Sequence, residues 1–241
     1  QSTVRFIEKP GVHLDGGIGV GRVTKAGLPV AVGEAAINPV PRKMIHGVVE
    51  EAIALFQIDK GIEVIISVPD GEEIAKKTLN ARLGILGGIS ILGTRGTVVP
   101  FSSSAYMASI VQAISVAKEA GCDHLVITTG GRSEKFAMKQ YPHLPEEAFI
   151  EMGDFVGFTL KHIARKEIPN VSLVGMMGKF SKVAQGVMMV HSKSAPISLE
   201  FLAAVAKKSG ATAEQVEEII NANTASQVGE IMQHTFAFFE A

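Results

Sequence analysis

The sequence predicts an α+β domain over residues 1–100, followed by a small α/β domain of about four parallel strands over residues 101–241. Three observations carry this reading. Glycines crowd the first hundred residues, in strings such as D-G-G-I-G-V-G (Asp15–Gly21), between short strand-like runs. From Pro100 onward the pattern becomes apolar strand, loop and amphipathic helix in alternation, the signature of a parallel sheet with crossover helices. The chain has 241 residues, of which 46% are hydrophobic and 20% charged, enough for two modest domains with cores of their own.

The elements follow in order. Ser2–Glu8 alternates as a strand and stops at Pro10-Gly11. Residues 14–32 read as turns and short strands. Asn38 as cap, with Pro39 or Pro41 in the first turn, opens the first clear helix, whose apolar face is Met44, Ile45, Val48, Val49, Ala52, Ile53 and Phe56. Ile62–Val68 is a strand, and a short charged helix starts near Glu72. In the second half, Thr97–Phe101, His124–Thr129, Phe149–Met152 and Val171–Met176 are the strand candidates. The second of these is apolar almost throughout, as a strand covered on both faces must be. Helices are expected at Ser104–Ala120, at Asp154–Lys166 with Asp154 as cap, near Ser198–Ser209, and at Ala213–Asn221 and Ala225–Phe239. Thr212-x-x-Gln215 and Thr224-x-x-Gln227 are capping-box patterns for the last two.

Composition excludes several functions. With 23 basic and 24 acidic residues the net charge is −1, and neither half carries the basic excess of a nucleic-acid binder. The absence of tryptophan and the two tyrosines argue against an aromatic base- or sugar-stacking platform. The single cysteine, Cys122, rules out an internal disulfide or a cysteine metal cage, and the seven histidines form no close pair, so no metal site is expected. No apolar run approaches the roughly 18 residues of a membrane span. No leader is legible in the opening Q-S-T-V-R-F-I-E-K-P, so a cytoplasmic setting is expected.

Four strings could carry chemistry, and each has a plainer reading. Asp15–Gly21 lacks the G-x-G-x-x-G spacing. It is either a hairpin needing positive φ or an anion-binding backbone beside Arg22 and Lys25. Gly88–Thr94 resembles a phosphate loop without its lysine, which excludes an NTPase. Thr128–Glu134 (T-T-G-G-R-S-E) directly follows the buried strand, where open parallel sheets bind ligands. Thr129, Gly130, Gly131 and Arg132 are therefore ligand candidates, or else an ordinary strand-to-helix turn. Gly175, Met176, Gly178 and Lys179 end the next long strand and suit an adenosyl or sulfonium group, although methionine is more often filler. Asp154 could hold ribose hydroxyls or cap its helix. His191, amid Ser192, Lys193 and Ser194, is the histidine best placed for polar work. No Gly-x-Ser-x-Gly elbow supports a serine hydrolase.

Specific strings then point further. Asp15–Lys25 (D-G-G-I-G-V-G-R-V-T-K), Gly33–Ile45 (G-E-A-A-I-N-P-V-P-R-K-M-I) and the long run Val68–Gly96 closely resemble the cobalt-precorrin-5B C1-methyltransferase family of anaerobic cobalamin biosynthesis. The resemblance is densest before residue 105 and continues in G-K-x-x-K-V-A-Q-G within Gly178–Gly186. It implies a Rossmann-like second domain that takes S-adenosylmethionine as methyl donor, and a first domain on the side of a cobalt-containing corrinoid intermediate. It implies methylation of C1 of cobalt-precorrin-5B to give cobalt-precorrin-6A. The carboxylates of that substrate would meet Arg22, Lys25, Arg42, Lys43 and Arg95, each of which is otherwise a solvated surface charge. Asp15, Glu34 and His191 would be the proton carriers. No nucleic acid, membrane or resident metal is implied. The apolar tail Phe236–Phe239 is either a homo-oligomer interface or a segment docked on the core. The rival readings are a non-catalytic corrinoid- or nucleotide-binding module and a nicotinamide oxidoreductase, the latter lacking its fingerprint.

Overall fold

A computed structural model describes residues 1–93, 102–191 and 196–240. Two compact units divide the chain, Gln1–Cys122 and Asp123–Ala241, and both are mixed α and β. The division falls after Cys122, not at Pro100, because the helix after Pro100 packs into the first unit.

Unit 1 contains β1 (Ser2–Ile7), β2 (Val12–Gly16), β3 (Gly19–Val20), β4 (Arg22–Val23), α1 (Pro39–Phe56), β5 (Gly61–Ile66), α2 (Gly71–Ala75), β6 (Ile85–Leu86), β7 (Gly88–Ile89) and α3 (Ser103–Glu119). One sheet runs β1-β5-β2, with β1 antiparallel and β2 parallel to the central β5. Two further strand pairs are β3 with β7, parallel, and β4 with β6, antiparallel. The strand candidate Thr97–Phe101 lies outside the described residues.

The glycine strings are explained by close backbone contact. Asp15–Gly21 is not a hairpin, since β2 and β3 pair with different partners. Gly19 has φ +72°, and a Cβ there would stand 1.8 Å from the Val68 carbonyl oxygen. A Cβ on Gly71 or Gly88 would stand 2.0 or 2.2 Å from the Gly19 carbonyl oxygen. Three glycines far apart in sequence therefore meet backbone to backbone, and only glycine leaves room. Around this knot Val20, Ala35 and Ile37 form one small core. Val23, Val30, Ala36, Leu83, Ile85 and Val116 of α3 form another.

Helix α1 departs from expectation. Pro39 occupies its first turn, but Asn38 makes no side-chain cap bond, and Pro41 is its only buried residue. Met44, Val48 and Phe56, read as core-facing, are exposed, with Val40 and Leu55 beside them.

Unit 2 begins with β8 (His124–Thr128), α4 (Gly131–Gln140), β9 (Phe149–Glu151), α5 (Val156–Arg165), β10 (Asn170–Val174) and α6 (Met177–Ala184). Its sheet is three-stranded and parallel among the described residues, in the order β10-β8-β9. The first strand is thus central, whereas the second is central in a dinucleotide-binding half-sheet. Successive right-handed crossovers from a central first strand put α4 and α5 on opposite faces. Leu125, Val126 and Ile127 of β8 are accordingly all fully buried.

Four helices close the unit: α7 (Leu199–Lys208), α8 (Ala213–Ile220), α9 (Ala225–Ile231) and α10 (Phe236–Glu240). Leu202, Ala206, Ile219, Val228, Met232 and Phe238 lie in their shared core, against which Met177 of α6 packs. The capping box at Thr212 and Gln215 is complete. At Thr224 only half of it forms, because Gln227 Oε1 accepts from the Asn223 amide. The single helix expected over Ala225–Phe239 is two. Of the apolar tail, Phe238 is buried while Phe236 and Phe239 are exposed. No helix among the described residues is long and apolar enough to cross a membrane.

Candidate functional site

In a parallel sheet the loops at the carboxyl ends of the strands are where a ligand finds backbone amides and no side chain in the way. In unit 2 the crevice where the chain reverses direction lies between β8 and β10. Three loops meet there: Thr129–Gly130 after β8, Met152–Asp154 after β9, and Gly175–Met176 after β10.

Lys179, on α6 just after the third loop, ties the other two to it. Its Nζ donates to the Thr129 carbonyl at 2.9 Å and the Gly153 carbonyl at 3.4 Å, and pairs with Asp154 Oδ1 at 3.1 Å. An ammonium has three N–H donors, so these partners use all of them. Lys179 thus braces the strand ends from within. Asp154 is committed to that brace, and α5 starts after Phe155 with no side-chain cap, so the expected capping role of Asp154 is not realised. Asp154 also accepts the Val190 amide through its backbone oxygen at 3.1 Å.

The glycines here divide by what surrounds them. A Cβ on Gly175 would stand 2.1 Å from the Phe180 ring, so Gly175 serves packing. A Cβ on Gly131 or Gly178 would meet nothing within 4 Å. At Gly130, with φ +154°, the nearest atom would be Glu151 Oε1 at 3.8 Å. Gly130 precedes α4 and makes no side-chain cap bond. Thr129 is buried, its Oγ1 3.2 Å from Ser133 Oγ, while Arg132 and Met176 are exposed. Eight of the nine ligand candidates in this unit fall on the β8 and β10 loops or the helix starts beside them, and Asp154 follows β9.

Two residues here escaped sequence reasoning. Thr128 is completely buried, and its Oγ1 has no hydrogen-bond partner among the described residues. Its signal was a hydroxyl ending an otherwise apolar run. Lys182 is only 6% exposed and donates to the Val190 carbonyl at 3.3 Å. Its signal was the three-residue spacing from Lys179, which puts both on one face of α6. His191 is exposed; its neighbours Ser192, Lys193 and Ser194 lie outside the described residues.

Unit 1 gathers a second set. Arg22 Nη2 pairs with Asp15 Oδ2 at 2.7 Å, and its Nη1 donates to the Gly33 carbonyl at 3.2 Å. Arg42 pairs with Glu34 Oε2 at 3.2 Å. Burial pushes the Asp15 carboxyl up. The hydrogen bonds from Arg22 and the Gly16 amide, with the charges of Arg22 and Arg42, outweigh it and hold the carboxyl below its usual value. The same pairing raises Arg22. Asp15, Arg22, Glu34 and Arg42 thus form one partly exposed face.

Lys25 and Lys43 go elsewhere. Lys25 donates to the Arg82 carbonyl at 3.1 Å, and its stem fills the space a Cβ on Gly84 would need. Lys43 lines a shallow apolar groove of about 690 Å³ along α1 with Val40, Met44, Gly47 and Val48. Arg95 and Thr94 lie outside the described residues. No cluster of His, Cys, Asp or Glu among the described residues could hold a metal ion.

Comparison with known proteins matches two stretches of the chain. Residues 1–100 match the family model described as CbiD, and residues 189–241 match the one described as CbiD, C-terminal domain. Curated proteins named cobalt-precorrin-5B C(1)-methyltransferase are close in sequence. That of Geobacillus sp. (strain WCH70) is 74% identical over 232 residues, covering 96% of this chain and 64% of the relative. That of Geobacillus thermodenitrificans (strain NG80-2) is 69% identical over 241 residues, covering 99% and 65%. The chain therefore spans just under two thirds of the length of these relatives. A crystal structure of a cobalamin biosynthesis protein (cbiD) from Archaeoglobus fulgidus is 30% identical, covers 80% of this chain and 59% of that one, and superposes with a TM-score of 0.34.

Proposed function

This chain belongs to the CbiD family, and from that membership we propose that it transfers a methyl group from S-adenosylmethionine to C1 of cobalt-precorrin-5B, giving cobalt-precorrin-6A. The observation that carries the reading is the 74% identity to a cobalt-precorrin-5B C(1)-methyltransferase over 232 residues, a span that includes both units. We propose unit 2 as the methyl-donor side and unit 1 as the corrinoid side, in the cytoplasm.

The chemistry asks little of the protein beyond placement. The sulfonium methyl is already activated, and the ring carbon is an enamine-like nucleophile. The protein must hold the two in line and exclude water. The unit 2 edge suits a donor of this kind. Gly131 and Gly178 leave open space, and the Thr128 hydroxyl is buried with no hydrogen-bond partner among the described residues. Thr129, Gly130, Arg132 and Met176 would contact the donor, while Lys179, Asp154 and Gly175 hold the loops that do so. Its three-stranded parallel sheet would serve as a reduced doubly wound fold.

In unit 1 the guanidinium groups of Arg22 and Arg42 would take substrate carboxylates, exchanging Asp15 and Glu34 for them. Lys43, in the groove along α1, and Arg95 are further candidates for those carboxylates from the family resemblance. Asp15, once released from Arg22, would regain basicity and could accept a proton, as could Glu34 or His191.

The test is incubation with S-adenosylmethionine and cobalt-precorrin-5B, followed by mass spectrometry. A gain of one methyl on the corrinoid, with S-adenosylhomocysteine released, is expected. Corrinoid binding with no mass change would instead make this a non-catalytic module. Gly131→Val and Gly178→Val are the informative variants, because they fill open space; Gly175→Val would fail by colliding with Phe180.

A further inference from the structure

Lysine is almost never fully buried unless its charge is paired. Lys182 breaks that rule. It is 6% exposed, and its single partner among the described residues is the Val190 carbonyl at 3.3 Å. No carboxylate among the described residues pairs with it. Among the described residues two of its three N–H donors are left over, at a desolvation cost.

Its one contact links it to the strand ends. Val190, which accepts from Lys182, donates its own amide to Asp154. Asp154 in turn is held by Lys179, whose donors are all used. Lys182, Val190, Asp154 and Lys179 thus form one chain of contacts reaching the strand ends. The charged groups in it are two ammoniums and one carboxylate, an excess of one positive charge beside the open loops.

We propose that Lys182 is the anchor for a carboxylate of the ligand held at this edge. The proposal rests on the methyl-donor reading of unit 2, in which the amino-acid carboxylate of the donor is the group it takes. A side-chain carboxylate of the macrocycle offers the same chemistry, and the test separates the two.

Binding of three probes is measured by calorimetry to the full chain and to Lys182→Met and Lys182→Arg. The probes are S-adenosylhomocysteine, 5′-methylthioadenosine (which lacks the amino-acid carboxylate) and the polycarboxylate corrinoid cobyrinic acid. Loss of a charge-assisted hydrogen bond predicts that Lys182→Met weakens S-adenosylhomocysteine by about 10- to 100-fold. Methylthioadenosine should be unchanged and Lys182→Arg should recover part of the loss. If the macrocycle supplies the carboxylate, cobyrinic acid weakens instead and S-adenosylhomocysteine does not.

Equal weakening of S-adenosylhomocysteine and methylthioadenosine would show a structural lysine and overturn the proposal, as would no change in any probe. Should Lys182→Met not fold, Lys182→Gln is read the same way. If the wild-type chain binds neither adenosyl probe, the donor reading fails by itself, and the cobyrinic acid result alone decides Lys182. Binding of none of the probes to wild type overturns both.

Discussion

The two units use the same residue types for opposite purposes. In unit 1 three glycines are spent on backbone contact: Gly19, Gly71 and Gly88 leave no room for a methyl group. Its candidate charges, Asp15 with Arg22 and Glu34 with Arg42, sit on the surface. At the helix starts of unit 2 it is the reverse. Gly131 and Gly178 stand in open space, while Lys179 and Lys182 turn inward. Exposed ion pairs contribute little stability and exchange readily for a ligand's charges. Buried donors fix geometry and are costly to disturb. Under the proposed function, this contrast suits adaptable recognition of a large polyanion by unit 1 and a rigid seat for a small ligand in unit 2.

The largest way to break this contrast is through the glycine knot. Gly19→Ala places a methyl against the Val68 carbonyl at a positive φ, and should cost unit 1 about 4 kcal/mol. Gly131→Ala, in open space at a helix start, should change stability by less than about 0.5 kcal/mol. Urea denaturation of both variants checks this; comparable losses would mean the glycines do not divide as described.

Next is the brace. Lys179→Met leaves Asp154 and two carbonyls without their donor. Its side chain is 35% exposed, so water can replace some of what is lost, and the expected cost is about 2 kcal/mol. Affinity for S-adenosylhomocysteine should fall too, because the three loops lose their common tie. A variant with native stability and native affinity would remove Lys179 from the site altogether.

Thr128 sharpens the comparison with the opposite sign. Replacing a buried, unpartnered hydroxyl by a methyl of the same shape removes a desolvation penalty. Thr128→Val should therefore stabilise the protein by about 1 kcal/mol in the absence of ligand. If the hydroxyl serves the ligand, the same variant binds S-adenosylhomocysteine more weakly. Stability measured by thermal melting and affinity by calorimetry should move in opposite directions, a trade expected of a functional position.

What could be read from the sequence followed from how local its causes are. The β8 strand was legible because covering on both faces demands an unbroken apolar run. The Thr212 cap was legible because a capping box lies within four residues. The role of Gly19 was not, since its constraint comes from Val68 and Gly71, some fifty residues away. The division after Cys122 was hidden for the same reason: Val116 joins a core with Val23 and Ile85 that no local pattern announces. The ligand loops of unit 2 were found by their position after strands, yet Lys179 was read as a ligand contact. Only the three acceptors around it show that it faces inward.

The smallest effect is the most direct test of the unit 1 face. The Asp15 carboxyl is held below its ordinary value of 3.8 in the folded protein. A carboxyl with a depressed folded pKa adds stability above its unfolded pKa and loses it as pH falls through the folded value. The contribution is thus fully present at neutral pH and begins to be lost as pH falls below about 4. Because the Asp15 side chain is 48% exposed, solvent screening keeps it under about 1 kcal/mol. Asp15→Asn should lower stability slightly at pH 7, approach wild type as pH falls through the folded pKa of Asp15, and flatten the acid limb between them. Salt at 1 M should shrink the difference at pH 7, since the Debye length there is about 3 Å. Arg22→Gln, which removes the other partner, should flatten the same limb. If it leaves the slope intact, the Asp15 carboxyl is held by Gly16 and Arg42, and Arg22 is already available to a substrate carboxylate in the resting protein.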